Sequence, residues 1–137
     1  MNTFSRCILA VEDDEVQTRL LRRVLESAGF PVHTEHSGRE ALHYIAEHPV
    51  ALAIIDLRLP DVDGYEVCQA LRKQYDSWTV PIVILTGLVK PMDQVRGYRS
   101  GADVYLTKPY NVTELLQVVG LLLKHHEGPD AIGGCYW

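Results

Sequence analysis

Four stretches of this 137-residue chain end an apolar run on a side chain that can do chemistry. Cys7–Val11 runs into Glu12, Asp13, Asp14 and Glu15. Val50–Ile55 stops at Asp56, and Val80–Leu85 stops at Thr86. Asp103–Leu106 is followed two residues on by Lys108. Each signal is weak alone, because an Asp after a strand is often only the start of a turn. Brought to one place, Glu12, Asp13 and Asp56 would repel one another unless a cation joined them. A hard divalent ion is the natural partner, and Mg²⁺ is held by one or two carboxylates while keeping waters and phosphate oxygens. Thr86 and Lys108 would add donors for an anion. A carboxylate beside Mg²⁺, a hydroxyl and an ammonium is poised to attack a phosphoryl group and hold the product, because that transfer needs mainly positioning and neutralised charge.

Those ends meet only if the four runs are strands of one parallel sheet. Strand and helix signals alternate five times. After Cys7–Val11, the residues Val16, Leu20, Leu21, Val24 and Leu25 recur at helical spacing, with Asp14 as N-cap and Gly29 past the end. Pro31–His36 reads as strand 2. The pattern Ser37-Gly-Arg-Glu40 opens a helix that turns Ala41, Leu42 and Ile45 inward. Strand 3 is Val50–Ile55, and Asp63 starts a helix that buries Val67, Ala70 and Leu71. Strand 4 is Val80–Leu85; Pro91 opens helix 4 and Gly101 ends it. The short strand 5, Asp103–Leu106, leads to a helix capped at Asn111 and running to about His125. Alternating βα units imply a parallel sheet with helices on both faces. Strands 1, 3 and 4 are almost wholly apolar and read as central, whereas strand 2 carries His33, Glu35 and His36 and strand 5 is short, as edges are. The expected fold is therefore α/β: a flavodoxin-like doubly wound (βα)5 with strand order 2-1-3-4-5. Its ligand crevice lies outside the carboxyl ends of the strands, at the switch between strands 1 and 3.

The bulk composition narrows the function. One domain with one core suits this length, and an apolar share of 47% points to a packed globule. A net charge of −5 gives no reason to expect direct nucleic-acid binding, which needs clustered Lys and Arg. Cys7, Cys68 and Cys135 have no metal or redox spacing and read as core or tail residues, which fits a reduced, cytoplasmic setting. No segment is long enough for membrane insertion as a helix, and no signal-peptide core is visible. The six histidines form no ligand constellation, and His125-His126 suit the negative end of a helix. Asp14 and Glu15 read as helix-start charges, and Asp61 and Asp63 as turn and cap residues.

The stretches I-L-A-V-E-D-D-E, A-I-I-D-L-R-L-P-D-V-D-G, P-I-V-I-L-T-G and G-A-D-V-Y-L-T-K-P-Y, in that order, resemble the receiver domain of bacterial two-component response regulators. The resemblance covers about residues 5–125. It implies that Asp56 is the phosphoacceptor. It also implies that Asp13 ligates Mg²⁺ directly, Glu12 acts mostly through water, and the backbone carbonyl of Arg58 completes the protein ligands. Thr86 then matches the switch hydroxyl, and Lys108 the phosphate-pairing lysine. Pro109 matches a proline that follows a cis bond. Tyr105 matches the aromatic whose rotamer follows Thr86, although an ordinary edge-strand aromatic is a rival reading. Arg58 and Leu88, two residues after Asp56 and Thr86, sit where the family tunes phosphate lifetime. Their bulk is expected to crowd an attacking water.

The implied partners are a sensor histidine kinase or phosphotransfer protein upstream and a downstream protein or effector domain. The output face would be helix 4, strand 5 and helix 5. Helix 5 is unusually apolar from Val112 to Leu123 and lacks the arginines of the family's charged dimer mode, so any contact there is expected to be apolar. Residues 1–126 read as the domain and 127–137 as a tail or linker too short for a DNA-binding module. The chain is expected to be either a single-domain regulator acting through protein contacts or the receiver piece of a longer protein; its starting Met favours a true N-terminus, and its Gly-rich tail leaves the other end open. On this reading it is not an enzyme beyond catalysing its own phosphorylation and dephosphorylation. A Mg²⁺-dependent phosphatase of the haloacid-dehalogenase type is the rival, but it wants its nucleophile in a D-x-D at strand 1. A third reading, a degenerate receiver that never gains phosphate, ranks low because every key residue is present.

Overall fold

The computed structural model describes residues 6–77 and 79–126, without the side chains of residues 125 and 126. The expected tail, Cys135 and the side chains of His125 and His126 lie outside the described residues. Strands β1 (Cys7–Val11), β2 (Val32–Glu35), β3 (Val50–Ile55), β4 (Ile82–Thr86) and β5 (Val104–Thr107) alternate with helices. These are α1 (Glu15–Ser27), α2 (Gly38–Glu47), α3 (Gly64–Gln74), α4 (Pro91–Arg99) and α5 (Val112–His126). All strand pairs are parallel, in the order β2-β1-β3-β4-β5 that the apolar and polar runs predict.

Successive side chains of a strand point to opposite faces, so an apolar run feeds two cores. Leu9, Val11, Ile55 and Ile84 pack with Ala41 and Ile45 of α2 and with Tyr65, Val67, Cys68 and Leu71 of α3. Ile8, Ala10, Ile54 and Val83 pack on the other side with Leu21 and Leu25 of α1 and with Leu115, Val119 and Leu123 of α5. Ile8, Leu9, Leu25, Leu71 and Leu115 are wholly buried, and each such side chain contributes about 1.5–3 kcal/mol of hydrophobic stabilisation.

The helix starts follow their caps. Asp14 Oδ1 accepts the amides of Val16 and Gln17, Ser37 Oγ accepts that of Glu40, Asp63 that of Glu66, and Asn111 that of Glu114. Gly29 and Gly101, with φ of 92° and 112°, follow the ends of α1 and α4 in the left-handed region that favours glycine.

The structure adds detail at three places. Val16 and Leu20 share the helical spacing of α1 but are 63% and 54% exposed; the buried polar member of that helix is Thr18. β4 begins two residues later than its apolar run, because Val80 N closes a turn onto Asp76 O and Pro81 has no amide to give the ladder. On α5 the apolar excess is mostly buried or half-buried against the sheet, which leaves Val112 and Leu121 exposed.

Candidate functional site

Sheet register carries the chemistry to one edge. Val11 pairs with Ile55, so Glu12 and Asp56 are the next residues on adjacent strands, and Asp56 N donates to Val11 O at 3.0 Å. Thr86 pairs with Thr107, so Lys108 follows directly and its amide donates to Thr86 O at 2.8 Å. Glu12, Asp56, Thr86 and Lys108 thus come from four strand ends to the carboxyl edge of the sheet, at the switch between β1 and β3.

Asp56 is 7% exposed and fully engaged. Its Oδ1 accepts from Thr86 Oγ1 at 2.9 Å and from the Arg58 amide at 3.0 Å; its Oδ2 accepts from Lys108 Nζ at 2.7 Å. Lys108 Nζ also donates to Glu12 Oε1, and the second Glu12 oxygen accepts the Asp14 amide at 3.0 Å. Burial pushes the Asp56 carboxyl up, but the donors Lys108, Arg58 N and Thr86 outweigh it and hold it below the usual Asp value. The opposite balance holds at Glu12, where burial wins over Lys108 and the carboxyl is raised. Burial would lower Lys108, yet its bonds to Asp56 and Glu12 raise it.

Asp13 is exposed and makes no hydrogen bond or ion pair among the described residues. Glu12 and Asp56 set two carboxylates against the single ammonium of Lys108, and Asp13 follows Glu12 directly in the chain. That excess of charge and the all-oxygen donor set fit a hard divalent cation. Among the described residues no three His, Cys, Asp or Glu side chains form a closed metal-holding group.

Around this centre the loops are tightly fixed. The Lys108–Pro109 bond is cis. Tyr105 is half-buried, with its hydroxyl donating to Leu88 O at 2.9 Å and its phenol pushed up to about 12 by burial. Its ring lies against Gly97 of α4, where an added Cβ would approach it to 3.0 Å. Leu88 packs against the core cluster, whereas the Arg58 side chain is exposed. Gly64 leaves no room for a side chain, because a Cβ there would come within 2.4 Å of Asp56 O.

Several contacts escaped the sequence reading. Thr18 Oγ1 donates to the Glu12 and Asp14 carbonyls at 3.0 and 2.8 Å, tying α1 to the acidic turn. A hydroxyl four residues after an N-cap was the available signal. Tyr65, at the start of α3, donates to Asp93 O at 3.2 Å and lies under Arg96 at 4.1 Å, so α4 is latched to α3. Asp61, read only as a turn residue, spans to α2 through the amides of Gly38 and Arg39.

No helix among the described residues is long and apolar enough to cross a membrane. Residues 8–120 match the response regulator receiver domain. The transcriptional regulatory protein GltR of Pseudomonas aeruginosa is 36% identical over 134 residues, which cover 98% of this chain and 55% of that protein. The DNA-binding dual master transcriptional regulator RpaA of Synechocystis is 38% identical over 117 residues, covering 85% of this chain and 48% of that one. The chain spans about half the length of the curated relatives it matches. Among solved structures, a CheY-like receiver domain from Methanospirillum hungatei superposes with a TM-score of 0.83 at 29% identity, covering 89% of this chain and 96% of that one. The receiver domain of a signal transduction histidine kinase from Syntrophus aciditrophicus gives 0.79 at 37% identity, covering 88% and 91%. Sheet order, strand-end chemistry and these likenesses agree, and the chain belongs to the response regulator receiver domains, the phosphoacceptor modules of two-component signalling.

Proposed function

We propose that Asp56 takes a phosphoryl group from the phosphohistidine of a sensor kinase or phosphotransfer protein, forming an acyl phosphate. A carboxylate oxygen bonds to phosphorus as the phosphorus–nitrogen bond to the imidazole breaks. The observation that carries this reading is the setting of Asp56: buried, kept ionised, and ringed by Lys108, Thr86 and the Arg58 amide. Lys108 pairs with the new phosphoryl charge, and the Thr86 hydroxyl donates to its oxygens. Glu12, Asp13, Asp56 and the Arg58 carbonyl would hold Mg²⁺, with Glu12 acting mostly through water. When bound, the ion supplies charge neutralisation. Arg58 and Leu88 limit water's access to the acyl phosphate and so set its lifetime. The only reactions catalysed are the domain's own phosphorylation and dephosphorylation.

Phosphate also changes what Thr86 binds, and Tyr105, tethered to the loop that follows Thr86, shifts with it. The face of α4, β5 and α5, where Met92, Val95 and Val112 are exposed, then presents a changed surface to a downstream protein or effector domain in the cytoplasm. Intact mass after incubation with Mg²⁺ and a small phosphodonor tests the reading. One phosphoryl equivalent is expected on wild type and none on Asp56→Asn. Sustained hydrolysis of a phosphate monoester would instead favour a haloacid-dehalogenase-type phosphatase.

A further inference from the structure

The loop between β3 and α3 carries the Arg58 amide that bonds Asp56, and the Arg58 carbonyl proposed above as a Mg²⁺ ligand. What holds that loop lies outside the site. Asp61 Oδ1 accepts the amides of Gly38 and Val62, each at 2.8 Å, and Oδ2 accepts the Arg39 amide at 2.9 Å. Gly38 and Arg39 are the first two residues of α2, whose third amide, Glu40, is taken by Ser37 Oγ at 3.2 Å. The first turn of α2 therefore divides its donors between a local cap and a carboxylate 22 and 23 residues away in sequence. Helix start and loop are in direct contact: a Cβ on Gly38 would lie 2.0 Å from Val62 Cγ2. Charge favours the arrangement, since a carboxylate is stabilised at the positive end of a helix. The backbone donors outweigh desolvation and hold the Asp61 carboxyl below its usual range.

We infer that Asp61 is a positioning residue for phosphorylation: by clamping the β3–α3 loop to the first turn of α2, it fixes the Arg58 backbone toward Asp56 and toward the cation. This rests on the proposed Mg²⁺ and phosphoryl chemistry at Asp56. Asp61 itself touches neither Asp56 nor Lys108. It acts through the loop, as outer partners of a metal site orient the inner ones.

The test compares wild type, Asp61→Ala, Asp61→Asn and Ser37→Ala. Ser37→Ala removes a cap from the same helix without touching the loop. Calorimetric titration with Mg²⁺ alone gives affinity, thermal unfolding gives stability, and the Arg58 amide resonance in metal-free protein reports the loop. Both Asp61 variants are expected to bind Mg²⁺ about tenfold more weakly and to shift the Arg58 amide. Ser37→Ala should lower the melting temperature yet keep wild-type affinity and an unshifted Arg58 amide. Wild-type affinity in the Asp61 variants, or an equal loss in Ser37→Ala, overturns the inference. A wild-type protein that binds no Mg²⁺ refutes the underlying reading of the site instead. The Arg58 amide then decides the clamp alone: a shift in the Asp61 variants supports it, and an unmoved resonance overturns it.

Discussion

Replacing Lys108 by Met keeps the aliphatic stem and removes the charge, which isolates what the ammonium does for the metal-free protein. Its Nζ sits between Asp56 and Glu12, whose side chains are 8% and 6% exposed, while Lys108 itself is 18% exposed. Without it, two buried carboxylates face each other with no counter-charge. Breaking a buried pair costs about 3–5 kcal/mol, and the lower end applies because water reaches Nζ. A loss of about 3 kcal/mol corresponds to roughly 10 °C in melting temperature for a domain of this size.

The pH dependence fixes the sign. In wild type the Asp56 carboxyl is depressed, so its stabilisation is present above the ordinary Asp value and is lost as pH falls through the folded value. In the variant, burial and mutual repulsion raise Asp56, so its cost is absent in acid and grows as pH rises. Glu12, already raised in wild type, moves further in the same upward sense and leaves that sign unchanged. Urea unfolding in a chelator, at about pH 7 and about pH 4.5, should show the gap shrinking toward acid. A deficit under about 1 kcal/mol at neutral pH, the range of an exposed pair, would refute the reasoning, as would a gap that widens in acid.

Gly64→Ala pushes a methyl onto the Asp56 and Leu57 backbone, and should cost about 1–3 kcal/mol and slow phosphorylation, read by denaturant unfolding and intact-mass time courses. Arg72 donates to Gly101 O, Val80 O and Asp103 Oδ2 at 2.7–2.9 Å, binding α3 to the segment that leads into β4 and to the turn before β5. Arg72→Ala should cost about 2–4 kcal/mol in the same unfolding assay while leaving phosphoacceptor chemistry in place. Arg58→Ala and Leu88→Ala should each shorten the phosphorylated lifetime, followed as decay of the phosphoprotein mass; unchanged lifetimes would remove both side chains from that role.

The sheet order was readable because the central strands are apolar on both faces and β2 is not. The site was readable because parallel strands end at one edge, so residues just past apolar runs must meet there. Helical spacing located α1 but did not say that Val16 and Leu20 face solvent, and hydropathy gives no hint that the hydroxyl of Thr18 turns inward to bond the acidic turn. Long-range polar bonds left no local trace either. Asp61 reads as a turn residue until α2 is seen beside it, and the Arg72–Asp103 pair joins residues 31 apart in sequence that only the closed fold brings together. Tyr105 was ambiguous because β5 is an edge strand, and its hydroxyl finds the Leu88 carbonyl only once the β4–α4 loop has folded over it.

Borohydride reduction of the phosphorylated protein tests the central claim most directly, because it converts an acyl phosphate to an alcohol at the residue that carried it. Peptide mass mapping should find homoserine at position 56 alone, and none in Asp56→Asn. Reduction at Glu12 or Asp13, or phosphoprotein that yields no reduced residue, would contradict an acyl phosphate on Asp56.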